Sequence, residues 1–256
     1  MFVSYTENMT MLKLIKSEEL GLVANKFLHD VQACNPEIDG AVLLLGRFEK
    51  ALYNDSLYQD LGITKPASLN KAIDVRKADF LAGRAMLKAA QNLLGLVDAQ
   101  IGIGENRAPI WPNDRRGSLS HTHGLAASFL TGRQDLSLGV DVEKIATGNS
   151  AKAIRQQVLS QDECEMIDTA NDWPQNMLAT LVFSAKETLF KALYPQVKSF
   201  FGFDAAELKE IPGEGTITLR LRRSLSGGYL SGQVFELNYL TDPEFVMTWL
   251  AVPCQN

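Results

Sequence analysis

At 256 residues and 46% hydrophobic, the chain can bury a sizeable core, as one large domain or two smaller ones packed together. Its net charge of −5 argues against a broad nucleic-acid surface. Cys34, Cys164 and Cys254 are widely separated, lack the spacing of a zinc site, and suit a reducing, cytoplasmic compartment.

The amino-terminal segment carries acidic and polar groups throughout, and the aliphatic run Ala41 to Leu45 is far below membrane-spanning length, so neither export nor membrane insertion is expected. Residues 1–72 otherwise predict short helical and strand-like pieces, with no spacing that suggests chemistry. From Asp74 to Leu94 helix formers dominate and Gly95 stands where a C-terminal cap belongs, which predicts one long helix. On it Lys77, Arg84 and Lys88 form a basic stripe, while Arg76 and Gly83 share an adjacent face where the glycine would let a ligand or a backbone come close. Basic residues bunch here and again at Arg107, Arg115 and Arg116, so a local anion site is compatible with the acidic total.

The loop GIGENRAPIWPNDRRG follows, its glycines matching neither a P-loop nor a dinucleotide fingerprint. Leu125 to Leu130 and Leu136 to Val142 are predicted as two strands of a hairpin turning at Thr131 to Gln134. Helices are predicted over about 150–168 and 176–193, and TITLRLRRS and QVFELNYL alternate as strands. The order indicates an α+β fold rather than repeated βαβ units.

In Gly139-Val140-Asp141-Val142-Glu143 the alternation puts both valines on one face and both carboxylates on the other, roughly 6 to 7 Å apart. Two carboxylates so placed could share magnesium, a hard cation that keeps several waters and completes its shell with substrate phosphates. The same pattern also describes a solvated strand face. Pairing Leu130 with Leu136 would bring Ser120 and His121 near Glu143 to Ile145, where a hydroxyl and an imidazole are useful phosphate donors. Adjacent strand residues point oppositely, so the two are not a nucleophile and its base, and a polar strand end accounts for them equally well. His123 would share the side of His121, but further zinc ligands are absent from the sequence, which leaves it a surface or supporting group. Farther on, Glu187 and Lys191 fall one helical turn apart. They read either as a surface ion pair or as a third carboxylate for the cation, with Lys191 and nearby Lys186 on phosphate oxygens.

Taken in order, RKADFLAGR at 76–84, RAPIWP at 107–112, GSLSHT at 117–122, GVDVE at 139–143 and FSAKETLFKA at 183–192 resemble the phosphopantetheinyl transferases, most closely the enterobactin-synthetase type of siderophore assembly. The likeness covers about residues 74–195. Thr122 stands where the family often has serine or cysteine, and Phe183 where many surfactin-type members carry tryptophan. The resemblance implies two pseudo-symmetric halves, residues 1–131 and 132–256, each an antiparallel sheet with packed helices. Coenzyme A and magnesium would lie in the cleft between them. It implies transfer of 4′-phosphopantetheine from coenzyme A to a serine of an apo acyl, peptidyl or aryl carrier protein, with release of adenosine 3′,5′-bisphosphate. The carrier would belong to a nonribosomal peptide, polyketide or fatty-acid synthase and present an acidic helix to basic residues. The enzyme would be a cytoplasmic monomer.

Carried over by position, Asp141, Glu143 and Glu187 look like the metal carboxylates, and Ser120 and His121 like coenzyme A phosphate contacts. Lys186 and Lys191 look like phosphate-binding lysines, Arg107 falls at the basic position of the family's Lys-Pro motif, and Arg76 and Arg84 would line the nucleotide phosphate. In this reading Glu187 takes the serine proton and Lys191 stabilises the departing phosphate. A metal-dependent phosphohydrolase or nucleotidyl transferase, and a non-catalytic coenzyme A-binding or docking module, are the alternatives.

Overall fold

The computed structural model describes residues 12–21, 26–104 and 108–255. The chain divides into two compact units, one within Met11–Gln134 and the other within Asp135–Asn256.

The first unit runs β1 (Leu12–Leu14), α1 (Ser17–Leu20), β2 (Leu28–Cys34), β3 (Ala41–Phe48), α2 (Ser56–Asp60), α3 (Asp74–Leu93), β4 (Gly102–Ile103), β5 (Pro109–Ile110), β6 (Arg116–Thr122) and β7 (Leu125–Thr131). Its main sheet is antiparallel throughout, in the order β1-β2-β3-β7-β6. The aliphatic run Ala41 to Leu45 lies in β3, an interior strand with Leu43 and Leu44 fully buried on its opposite faces. The predicted long helix is α3, packed on β3, β6 and β7. It ends in a Schellman motif: Leu96 N–H donates to Gln91 O, Gly95 N–H to Asn92 O, and Gly95 holds φ at +64°.

The second unit runs β8 (Leu136–Lys144), α4 (Gly148–Gln157), α5 (Gln161–Thr169), α6 (Gln175–Val197), β9 (Ala206–Leu208), β10 (Thr216–Leu221), β11 (Val234–Thr241) and β12 (Phe245–Pro253). The sheet order is β8-β12-β11-β10-β9, again antiparallel. Helix α6 lies on β8 and β12, and its buried side, including Leu178, Leu181, Ala185 and Leu189, forms the core with Ile217, Leu219 and Leu237. Each such fully buried leucine or isoleucine stabilises the fold by about 1.5–3 kcal/mol. The helix expected over 150–168 is two helices, because Ser160 caps α5 in a box with Glu163. The Glu163 N–H donates to Ser160 Oγ at 3.2 Å and the Ser160 N–H to Glu163 Oε2 at 2.7 Å.

Both units share one core: a strand, a long helix, then a hairpin whose second strand returns antiparallel to the first. In the first unit this is β3, α3, β6 and β7; in the second it is β8, α6, β11 and β12. The α+β class and the pseudo-symmetric pair of sheets are thus present.

The expected hairpin of β7 with β8 is not. β7 lies between β3 and β6, whereas β8 pairs with β12 along nine residues, from Leu136 opposite Pro253 to Lys144 opposite Phe245. Thr131 to Gln134 connects two sheets instead of turning within one, with Thr131 Oγ1 donating to Gly40 O at 2.8 Å. The local hairpin is β6 with β7, turned at His123 and Gly124, whose φ of +37° and +84° suit a two-residue primed turn. His123 is therefore a turn residue and not a strand companion of His121.

Candidate active site

The β8 backbone sorts its side chains as the alternation predicted, but the carboxylate face is turned to helix α6 rather than to solvent. Ser137 Oγ donates to Ala192 O at 2.6 Å, and a Cβ built on Gly139 would overlap the Thr188 carbonyl oxygen. Only glycine at 139 lets α6 cross β8 this closely. Asp141, the next residue on that face, is 2% exposed and accepts from Lys191 Nζ at 2.7 Å. The same ammonium donates to Val140 O at 3.1 Å. Glu143 follows on the same face, half-buried.

Glu187, one turn before Lys191, is half-buried. Burial, and then the negative charge of Asp141, push its carboxyl above the usual range, while Lys191 pulls the other way. Asp141, Glu187 and Lys191 are thus electrostatically one group. Among the described residues no three histidine, cysteine, aspartate or glutamate side chains are drawn together closely enough to hold a metal ion.

Lys186 goes elsewhere. Its ammonium is almost fully buried, 2.8 Å from Glu163 Oε2 and 2.9 Å from Val158 O. Burial lowers its pKa against the opposing pull of Glu163. The other oxygen of Glu163 accepts from the Leu208 N–H at 2.8 Å, so one carboxylate ties α5, α6 and β9 together. Sequence reasoning did not single out Glu163. Its spacing from Ser160 marks a cap, but nothing local marks its partner on α6. Beside Glu187 and Lys186 opens a hollow of about 140 Å³ walled by Phe190, Phe200, Phe201 and Phe203, with Phe200 82% exposed.

In the first unit α3 and β6 bring a basic group together. Arg76 Nη1 lies 3.4 Å from His121 Nε2. Arg84 is 8% exposed, stacks 4.6 Å from the Phe80 ring centroid and donates to Gly102 O at 3.1 Å. Burial first, and the charge of Arg76 second, bring its guanidinium down to about 10. Its Nε is buried with no hydrogen-bond partner among the described residues. Gly83 gives its close approach to β6, where a Cβ would lie 3.3 Å from Leu119 and 3.9 Å from His121. Ser120 is buried on the opposite face from His121, opposite Ala127. The rest of the basic stripe is paired, Lys77 with Asp74 at 2.9 Å and Lys88 with Asp98 at 3.0 Å. Arg107 lies outside the described residues.

Residues 65–131 match the family model of the 4′-phosphopantetheinyl transferase N-terminal domain, and residues 137–241 match that of the 4′-phosphopantetheinyl transferase superfamily. The 4′-phosphopantetheinyl transferase Svp of Streptomyces mobaraensis is 32% identical over 191 residues, 73% of this chain and 76% of that protein. The chain belongs to the 4′-phosphopantetheinyl transferase superfamily. Other superfamily relatives include enterobactin synthase component D of Salmonella typhi, 35% identical over 136 residues, 53% of this chain and 56% of that protein. The transferase Npt of Nocardia iowensis is 32% identical over 139 residues, 54% of this chain and 61% of that protein. The chain thus spans a little over half the length of the enterobactin synthase proteins it matches. The two superfamily matches fall on the two structural units, and each contains one of the two charged groups described above.

Proposed function

We propose that this protein transfers the 4′-phosphopantetheine of coenzyme A to a serine of an apo carrier protein, in a magnesium-dependent reaction that releases adenosine 3′,5′-bisphosphate. The observation that carries the reading is the meeting of Glu187 and Lys191 with buried Asp141 on the Gly139 crossing. The names of the relatives favour a carrier of nonribosomal peptide or siderophore assembly. Three free cysteines suit the cytoplasm, and among the described residues no helix is long and apolar enough to cross a membrane.

The donor set fits magnesium. Its oxygens are hard, and Asp141 already raises the proton affinity of Glu187, a like-charge strain that a cation relieves. Asp141, Glu143 and Glu187 would hold the ion, one or two of them at a time, with phosphate oxygens and waters supplying the remainder. When bound, magnesium would neutralise and orient the pyrophosphate.

The serine Oγ of the carrier attacks the pantetheine-bearing phosphorus, a new O–P bond forms, and the bond to the bridging oxygen of the pyrophosphate breaks. With Asp141 and Glu143 holding the ion, Glu187 takes the serine proton, directly or through a water. Lys191 has three protons and spends two, on Asp141 and on Val140 O, which leaves one for the departing phosphate. Arg76, Arg84 and His121 would neutralise the nucleotide phosphates, which relieves the charge crowding on Arg84. Lys186 serves the packing of α6 through Glu163. The aromatic hollow beside Glu187 offers apolar room to part of the uncharged pantetheine arm.

Intact mass of apo acyl, peptidyl and aryl carriers after incubation with the protein, coenzyme A and magnesium tests this reading. A gain of about one phosphopantetheine, abolished by chelator, is the expected result. Release of inorganic phosphate from nucleotides without a carrier would move the assignment to a phosphohydrolase. Coenzyme A binding with no gain on any carrier would move it to a binding module.

A further inference from the structure

Three buried hydroxyls under the acidic group have no part in the chemistry above. Thr248 on β12 stands directly opposite Asp141 in the strand register, on the face that bears Val246 and Leu250 of the apolar core. It is fully buried, as are Ser184 and Thr188 of α6. Ser184 Oγ lies 3.0 Å from Thr248 Oγ1, Thr188 Oγ1 lies 2.6 Å from Thr248 Oγ1, and Thr188 Oγ1 donates to Thr248 O at 3.2 Å. One assignment satisfies every proton: Ser184 donates to Thr248, Thr248 to Thr188, and Thr188 to the Thr248 carbonyl.

Helical hydroxyls commonly bond back to their own helix, and a valine would fill the Thr248 position with the same shape. Here all three hydroxyls are directed between helix and sheet. Ser184 and Thr188 bracket Glu187, and Thr188 lies one turn before Lys191. Apolar packing tolerates small slides of a helix over a sheet, whereas three directed hydrogen bonds hold one register.

We infer that Thr248 is a positioning residue: with Ser184 and Thr188 it sets the register of α6 over β8 that holds Glu187 and Lys191 against Asp141. The inference rests on the transferase reading for its kinetic arm only. Thr248→Ser keeps the hydroxyl. Thr248→Val removes it and strands the Ser184 hydroxyl, while Thr188 keeps its bond to the residue-248 carbonyl. The triple variant Ser184→Ala, Thr188→Val, Thr248→Val removes the whole network and leaves no unpaired buried hydroxyl.

Thermal melts and transfer kinetics on all three separate register from stability. Thr248→Ser is expected to transfer near the unmodified rate. The triple variant is expected to melt close to the unmodified protein yet lose at least about tenfold in kcat, with KM for coenzyme A little changed. A second readout needs no turnover: acetylation of Lys191 by a soluble acylating reagent, followed by mass spectrometry with exposed Lys144 as internal reference. Loosened register should free Lys191 from Asp141 and speed its labelling several-fold in the triple variant. A folded triple variant with unchanged kcat, or with unchanged Lys191 labelling, overturns the inference. If the unmodified protein transfers to no carrier, the functional reading falls, and the labelling arm still decides this one.

Discussion

Glu187 is asked to be charged in a place that resists charge. Burial and the field of Asp141 make the folded state hold its proton more tightly than the unfolded chain does. Stability is therefore unaffected below the unfolded pKa and is lost as pH rises through the folded one. Glu187→Gln should raise the melting temperature of the metal-free protein at neutral pH, leave it unchanged in acid, and abolish transfer. Melts at the two pH values check this, and a fall at neutral pH would mean that Lys191 outweighs burial and Asp141. The neighbouring Lys186 shows what residue-level reading misses. Adjacent helical residues diverge by about 100°, so the sequence says that Lys186 and Glu187 part company. Which of them enters the core depended on Glu163, more than twenty positions earlier, whose partner no local pattern names.

At the level of elements, the crossing of α6 over β8 is fixed by Gly139. Gly139→Ala would drive a methyl into the Thr188 carbonyl and against Ala192, backbone that cannot give way as a flexible side chain would. The expected cost is about 1–3 kcal/mol of stability, with transfer reduced further than the melting temperature alone accounts for. Denaturant unfolding beside kinetics measures both. Helix α3 was legible from its run of helix formers and the glycine at its end, helix α6 from its helical pattern, and the face of β8 that carries Asp141 from its alternation. Strand pairing was not. Thr131 to Gln134 has the composition of a hairpin turn, and the two apolar runs beside it look like partners, yet β8 takes its neighbour from the far end of its unit. Composition identifies a turn; it does not identify which strands meet across it.

Across the whole molecule, charge is divided rather than averaged. A chain of net charge −5 gathers Arg76, Arg84 and His121 in one unit and Asp141, Glu143 and Glu187 in the other. Arg76→Ala should raise KM for coenzyme A about tenfold with less change in kcat, and should flatten the rise of KM with ionic strength. Initial rates across a salt series would show it, and an unchanged salt slope would remove Arg76 from the phosphate site. The shared strand, helix and hairpin core of the two units was foreseen only through the family likeness, because the two halves carry different side chains on the same plan. That plan also sets a timetable. Strand β8, with Asp141 and Glu143, leaves the ribosome about a hundred residues before β12, its neighbour in the sheet. Until β12 emerges, the acidic strand has neither edge paired and its helix lacks half of its floor, so a half-made chain has Asp141 and Glu143 in hand but not yet in place.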